Sequence, residues 1–225
     1  GYTLLLANNG SNAIAPGARG THGKELGRAF APVTRLTRLP IVIAVNPALG
    51  VTSLPELIAR ARRAPGQLSY ASSDLGSTSH MAADLLFRRA GVSLLHVPYN
   101  GTATAVRDVL SGVVPVLFTH LGTVAALVRD GRLCALAVSG RRRMAEFPDV
   151  PTVAEAGYPG YDITTWHGVM LPAGAPRAVI SRLHDELTRV TALPGLRRQL
   201  AAMGMEVEAN TPEQFAAEIE ADVRH

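Results

Sequence analysis

The chain has 225 residues, 47% of them hydrophobic and 18% charged, with a formal net charge of +4. That length suits one large or two small lobes with a real core, and the balance excludes a disordered chain. No apolar run reaches the roughly 18 residues of a membrane span.

Aromatic residues are only 5%, so the core must rest on Ala, Val, Leu and Ile. The basic residues are almost all arginines, Lys24 being the sole lysine. They are scattered over helix faces, with one cluster at Arg141, Arg142 and Arg143. Without a concentrated basic face interleaved with aromatics, nucleic acid is not an expected partner. Cys134, the single cysteine, sits in the apolar run "LCALAV" and reads as a buried thiol; a disulfide within the chain is excluded.

In chain order, "YTLLLA" reads as a strand, followed by the glycine-rich loop "NNGSNAIAPGARGTHG". A short helix from Lys24 to Phe30 and the strand "LPIVIAVNP" come next. From about residue 50 to 140 the pattern is regular. "SLPELIARARRAPG" opens with Ser53 and Glu56 at capping-box spacing, and Leu54, Leu57, Ile58 and Ala61 mark one helical stripe. Then strands "LSYAS", "LLHVPY", "VPVLFT" and "LCALAVS" alternate with helices "STSHMAADLLFRRAG", "TATAVRDVLSG" and "LGTVAALVRDG". Alternation of this kind predicts βαβ crossovers and a mostly parallel sheet. Beyond it lie "PTVAEAG", the extended "YDITTWHGVMLP", and three helices: "PRAVISRLHDELTRVT", "LPGLRRQLAAMG" and "NTPEQFAAEIEADV". In the last, Thr211 caps, Pro212 takes the first turn, and Phe215, Ile219 and Val223 share a face. These flanks contain too few strands to cover three helices by themselves.

The stretch "ASSDLGSTSH", residues 71–80, is the most informative. It lacks the lysine of a Walker phosphate loop, and the chain has no G-x-G-x-x-G fingerprint. Its Gly76-Ser77-Thr78-Ser79-His80 does not match a G-x-S-x-G nucleophile elbow. What remains is a strand that ends, a turn at Gly76, and a helix that starts at Ser77 or Thr78. A helix start offers unpaired N–H groups and a partial positive charge, a seat for a carboxylate. The bland alternative is that Ser77 or Thr78 caps its own helix. In a parallel sheet the next two strand-to-helix turns, "VPYNGT" with Tyr99, Asn100, Gly101 and Thr102 and "LFTHLGT" with Thr119, His120, Gly122 and Thr123, open on the same edge, although Tyr99 reads equally as a rim residue and His120 as a capping or solvated one. No cofactor motif, histidine–cysteine metal spacing or paired catalytic carboxylate is present.

Several segments in fixed order, "GYTLLLANNGS", "FAPVTRL", "GSTSHMAADLLF", "HVPYNGT", "DVLSGVVPVLF", "GRLCALAVSG", "FPDVPTVAEAGYPGYD" and "NTPEQFAAEI", resemble the Bug-type solute-binding proteins of tripartite tricarboxylate transporters. The resemblance covers essentially the whole chain. It implies an α/β, two-lobed clamshell of the periplasmic-binding-protein type (type II), with mostly parallel sheets, helices on both faces and two crossing hinge strands. Residues 1–42 and 168–225 would form one lobe and 43–167 the other. It implies a non-catalytic, periplasmic monomer that holds a small organic acid without cofactor or metal and delivers it to an inner-membrane permease. Carried over by position, the ligand contacts would be Asn9, Gly10, Ser11, Gly76, Ser77, Thr78, Ser79, Tyr99, Gly101, Thr102, Thr119 and Trp166. Trp166 reads equally as a core aromatic. Nothing in the chain matches the family's export signal, first strand and Gly/Pro-rich loop, and the last helix is short. Thr119 and His120 stand where the family often has an acid, which favours a ligand without an amino group. Asp74 lies beside the anion seat. Two other classes remain open from the residues alone: a serine-dependent α/β hydrolase using His80 or His120, and a ligand-sensing domain for a signalling partner.

Overall fold

The run Ile41-Val42-Ile43-Ala44-Val45 has no polar alternation, which requires a strand buried on both faces. A computed structural model of the chain, describing residues 3–9 and 29–224 (side chains to Asp222), shows how that burial is achieved. Ile41, Ile43 and Val45 enter one apolar cluster while Val42 and Ala44 enter another. The two-residue period of a strand thus feeds two cores at once.

Gly10, Ser11, the rest of the glycine-rich loop up to His22 and Gly23, and the helix expected from Lys24 lie outside the described residues. Phe30, expected to close that helix, instead opens a strand.

The chain divides into two units, Gly1–Leu39 with Thr165–His225, and Pro40–Thr164. Both boundaries fall a few residues before the expected 42/43 and 167/168. Strand β1 is Leu5–Asn8 and β2 is Phe30–Val45. The second unit takes the last residues of β2 and continues with α1 (Leu54–Arg63), β3 (Ser69–Ser72), α2 (Thr78–Ala90) and β4 (Leu95–Pro98). It ends with α3 (Thr102–Leu110), β5 (Val116–His120), α4 (Leu121–Arg129) and β6 (Cys134–Val138). The first unit resumes at β7 (Thr164–Pro172), then α5 (Arg177–Thr191), α6 (Pro194–Ala202), β8 (Glu206–Val207) and α7 (Pro212–Arg224).

In the second unit β3 pairs in parallel with β4 on one side and β5 on the other. β2 is the exception to the parallel pattern: it runs antiparallel to both β5 and β6 and lies between them. Helices cover both faces. α1 and α2 contribute Leu54, Leu57, Ile58, Leu86 and Phe87 to one core; α3 and α4 contribute Ala105, Val109, Leu121 and Val124 to the other. Tyr161 is buried against the first, its hydroxyl donating to the carbonyl of Ala82 at 2.6 Å.

In the first unit β1 pairs antiparallel with β7, which lies beside β2, and β8 pairs antiparallel with β2. β2 is far longer than the expected "LPIVIAVNP". Its early half carries Arg35 and Arg38, which argue against a strand in a core. Both are paired over a sequence distance no local pattern reveals: Arg35 and Arg38 each meet Glu208 and Glu218. The Arg35 backbone N–H also donates to Oδ1 of Asn210 at 2.9 Å. The segment after β8 is thereby stitched to β2, and α7 follows with a capping box between Thr211 and Gln214.

α7 then drops Phe215 and Ile219 into a core with Ala7, Trp166 and Met170. The Trp166 and Phe215 rings meet edge to face, centroids 4.9 Å apart. That contact requires a residue without a side chain at Gly168. A Cβ there would overlap the Phe215 ring and stand 3.0 Å from the Thr34 carbonyl oxygen. Gly168→Ala should therefore destabilise this unit by about 1–3 kcal/mol. Trp166 is the only tryptophan, so the unfolding midpoint read by its fluorescence in urea should move to lower denaturant.

Candidate functional site

Parallel pairing sends the carboxyl ends of β3, β4 and β5 to one edge of the second unit. Each is followed directly by a turn and a helix, so the starts of α2, α3 and α4 gather on that edge. This is where ligands sit in open α/β sheets.

The first turn, residues 73–77, is tied by its own hydroxyls. Ser77 is the N-cap of α2: its Oγ accepts the His80 N–H at 3.2 Å and donates to the Asp74 carbonyl at 2.7 Å. Ser79 is buried, and its Oγ accepts the Ser73 N–H at 3.3 Å. The Ser73 and Ser77 hydroxyls stand 3.1 and 3.0 Å from it. Gly76 adopts φ +76°, a left-handed conformation natural to glycine. Its N–H does not point out to a guest but donates to Nδ1 of His80 at 3.2 Å. The expected capping role of Ser77 is thus observed, and Gly76 and Ser79 serve the turn itself. Thr78 is buried in the first turn of α2. Asp74 is exposed, and its Oδ1 accepts the Leu75 N–H at 2.7 Å.

The second turn is bonded to the first. Tyr99 N–H donates to the Ser72 carbonyl at 3.2 Å, and Gly101 N–H to those of Ser73 and Tyr99 at 3.3 and 2.9 Å. Gly101, at φ 105°, is the N-cap of α3 and supplies no side-chain bond to it. Thr102 follows, part-exposed, as the first residue of α3. The Tyr99 hydroxyl donates to Oδ2 of Asp108 at 3.0 Å, and burial with this carboxylate pushes its pKa up. At the third turn Thr119 is buried within β5 and His120 is the N-cap of α4, again without a side-chain capping bond.

The structure thus brings Gly76, Ser77, Thr78, Ser79, Tyr99, Gly101, Thr102 and Thr119 to one edge. Asn9 and Trp166 belong to the other unit. There Trp166 is core: its ring is 1% exposed and its Nε1 donates to Oδ2 of Asp222 at 2.7 Å. Asn9 Oδ1 accepts the Trp166 backbone N–H at 3.4 Å. Both residues hold strands together here.

Electrostatics separates this edge from the opposite one. α1 starts at the far edge and carries Glu56 in its first turn, with the carboxylate taking the Thr52 N–H at 2.8 Å. The first turns of α2, α3 and α4 contain no acidic residue. An acid in the first turn is the usual internal complement to the positive end of a helix. These three helices leave that complement to something else.

Ser77 and His80 do not form a serine–histidine hydrolytic pair. The Ser77 proton goes to Asp74, and Nδ1 of His80 is taken by Gly76. Ser72 Oγ does lie 2.7 Å from Nε2 of His96, but Ser72 is fully buried. Sequence reasoning passed over His96, which lies in β4 and faces back to β3; only the cross-strand register Tyr70↔His96 reveals it. Among the described residues no group of His, Cys, Asp or Glu could hold a metal ion.

The model of the tripartite tricarboxylate transporter family receptor matches residues 1–225. The chain belongs to this family. Among curated members, it is 38% identical over 190 residues to the UPF0065 protein in the tcbD-tcbE intergenic region of Pseudomonas sp. (strain P51), covering 84% of this chain and 56% of that protein. It is 33% identical over 215 residues to protein BugT of Bordetella pertussis, covering 95% and 66%. It therefore spans between about half and two thirds of the length of these family members. Among solved structures, R. palustris Rpa4515 with adipate is 31% identical with a TM-score of 0.87, covering all of this chain and 75% of that one. The family's fold is that of periplasmic binding proteins, and this chain shares it.

The turn chemistry can be tested without a ligand. Ser79→Ala leaves the Ser73 N–H without its acceptor and should cost about 1–3 kcal/mol. The amide of Ser73 should exchange with solvent faster in that variant than in the parent chain.

Proposed function

We propose that the chain is a non-catalytic receptor that captures a small organic carboxylate in the periplasm and passes it to an inner-membrane permease of the tripartite type. One observation carries the carboxylate: three helix starts on one sheet edge, none with an acid of its own in the first turn. Membership of a transporter receptor family and the likeness to a protein solved with adipate support the same reading. Among the described residues no helix is long and apolar enough to cross a membrane.

The guest's charge is met by N–H groups and hydroxyls rather than by a cation. Of the candidate residues, Thr102 has the plainest role. It stands part-exposed at the uncapped start of α3 and its hydroxyl can donate to a carboxylate oxygen. A binding protein that must release its cargo gains from this choice, because neutral donors hold an anion more weakly than a paired guanidinium.

Calorimetric titration of the folded chain at pH 8 with a panel of di- and tricarboxylic acids, adipate included, tests the proposal. At least one acid should bind. Thr102→Val should weaken it by about 1 kcal/mol, the worth of one neutral hydrogen bond. Thr102→Glu gives α3 its own acid; it should raise stability by about 0.3–1 kcal/mol while weakening the same ligand. A panel that gives no heat with the parent chain overturns the proposal.

A further inference from the structure

Behind the turn 73–77 stand two histidines that the carboxylate reading does not use. His80 lies in the first turns of α2 and His96 in β4, and their rings stack at 4.2 Å with 22° between planes. Tyr70 of β3 stacks on the other side of His96 at 4.9 Å. The two rings are not equivalent. His80 uses Nδ1 as an acceptor, for the N–H of Gly76. An acceptor nitrogen carries no proton, so the neutral ring holds its hydrogen on Nε2. His96 Nε2 meets the Ser72 hydroxyl at 2.7 Å, a partner that can accept from a protonated ring while donating to the Asp74 carbonyl at 3.3 Å. Proton uptake would leave the His96 bond intact and abolish the His80 bond, setting N–H against N–H at Gly76.

We propose that His80 is the positioning residue of this edge: its unprotonated Nδ1 holds Gly76, thereby shaping the turn that presents the start of α2, so that carboxylate capture needs the neutral ring. The ligand half of this inference rests on the carboxylate reading above; the turn half does not. The charged and titratable groups that face the pair are Asp84 on α2, Asp74 in the turn and Tyr70 on β3. Asp84 is already paired with Arg88 at 2.8 Å. Burial lowers the pKa of both rings despite these carboxylates, and for His96 the neighbouring His80 lowers it further. The neutral pair is the resting state above the ordinary histidine range, and acid loads the first proton against the stack.

The sign of the effect separates this inference from simple charge attraction. A cationic ring near an anion seat would by charge alone tighten binding in acid. Loss of the Gly76 bond loosens it. If only the neutral ring is competent, affinity falls about tenfold for each pH unit below the His80 midpoint.

Two measurements on the full chain decide the matter. In the ligand-free protein, the Gly76 amide and the His80 imidazole nitrogens are followed by NMR from pH 8 downward. The Gly76 resonance should move in step with the His80 ring. His96→Gln, which removes the like charge, should raise the midpoint of both together. His80→Asn, whose amide oxygen can accept the same N–H, should hold Gly76 steady throughout. In the second measurement adipate affinity is compared over the same range in the parent and in His80→Asn, which cancels the acid's own protonation. The parent should lose affinity relative to the variant as pH falls. A Gly76 amide that stays fixed while His80 titrates overturns the inference, as does unfolding of both parent and His96→Gln before the ring titrates. Adipate affinity that stays level or rises in acid while Gly76 moves overturns the ligand half. If no acid of the panel binds at pH 8, the carboxylate reading falls, and the Gly76 titration alone decides the role of His80 in the turn.

Discussion

Parallel strand pairing imposes a direction on everything attached to it. Because β3 runs the same way as β4 and β5, three carboxyl ends finish on one edge and three helices must begin there. The crossover helices return along both faces of the sheet, which buries the central strands β2 and β5 and explains the apolar run Ile41–Val45. A single geometric choice therefore supplies the two cores of the second unit and a row of helix starts. β2, the strand of opposite sense, lies between β5 and β6 and so leaves that row undisturbed.

At the helix starts, much of the hydrogen-bonding capacity goes to the fold. Ser77, Ser79, Gly76 and Gly101 spend theirs within and between the turns. Such internal bonding gives the turns a defined shape. Glu56 stands in the first turn of α1 at the far edge, whereas the first turns of α2, α3 and α4 at the near edge hold no acid. Under the two proposals the same polar groups would serve stability and recognition, and the histidine pair behind them would link the turn to protonation.

The first unit is built on different physics. Its long strand carries Arg35 and Arg38, both shielded from water and held by Glu208 and Glu218. Charges buried this way cost desolvation unless every partner is in place, so the network ties three distant parts of the chain to one geometry. Nearby, Trp166 has its indole N–H on Asp222 and its ring against Phe215, a contact that Gly168 permits. Elsewhere the unit leaves apolar surface open: Leu4, Leu6, Val179 and Leu193 are exposed, and a groove lined by Leu4, Leu171, Val179 and Leu183 runs beside α5.

Much of the second unit was legible in the amino-acid order, because its signals are local. Apolar runs bounded by glycines mark strands and helices, and Ser53 and Ser77 mark helix starts through bonds that span only three residues. Strand-to-helix alternation then implies parallel pairing, which implies that "ASSDLGSTSH", "VPYNGT" and "LFTHLGT" share an edge. What the order of residues could not decide depends on contacts across long separations. The early half of β2 looks too charged for a core strand until Glu208 and Glu218 arrive. Trp166 is equally plausible beside a ligand or in a core until Asp222 claims its N–H. His96 is unremarked until strand register stacks it on His80. Sequence sets which groups can bond to their neighbours within a turn of chain; only the packed structure decides which distant partner reaches each remaining group first, because that competition is settled by geometry and burial.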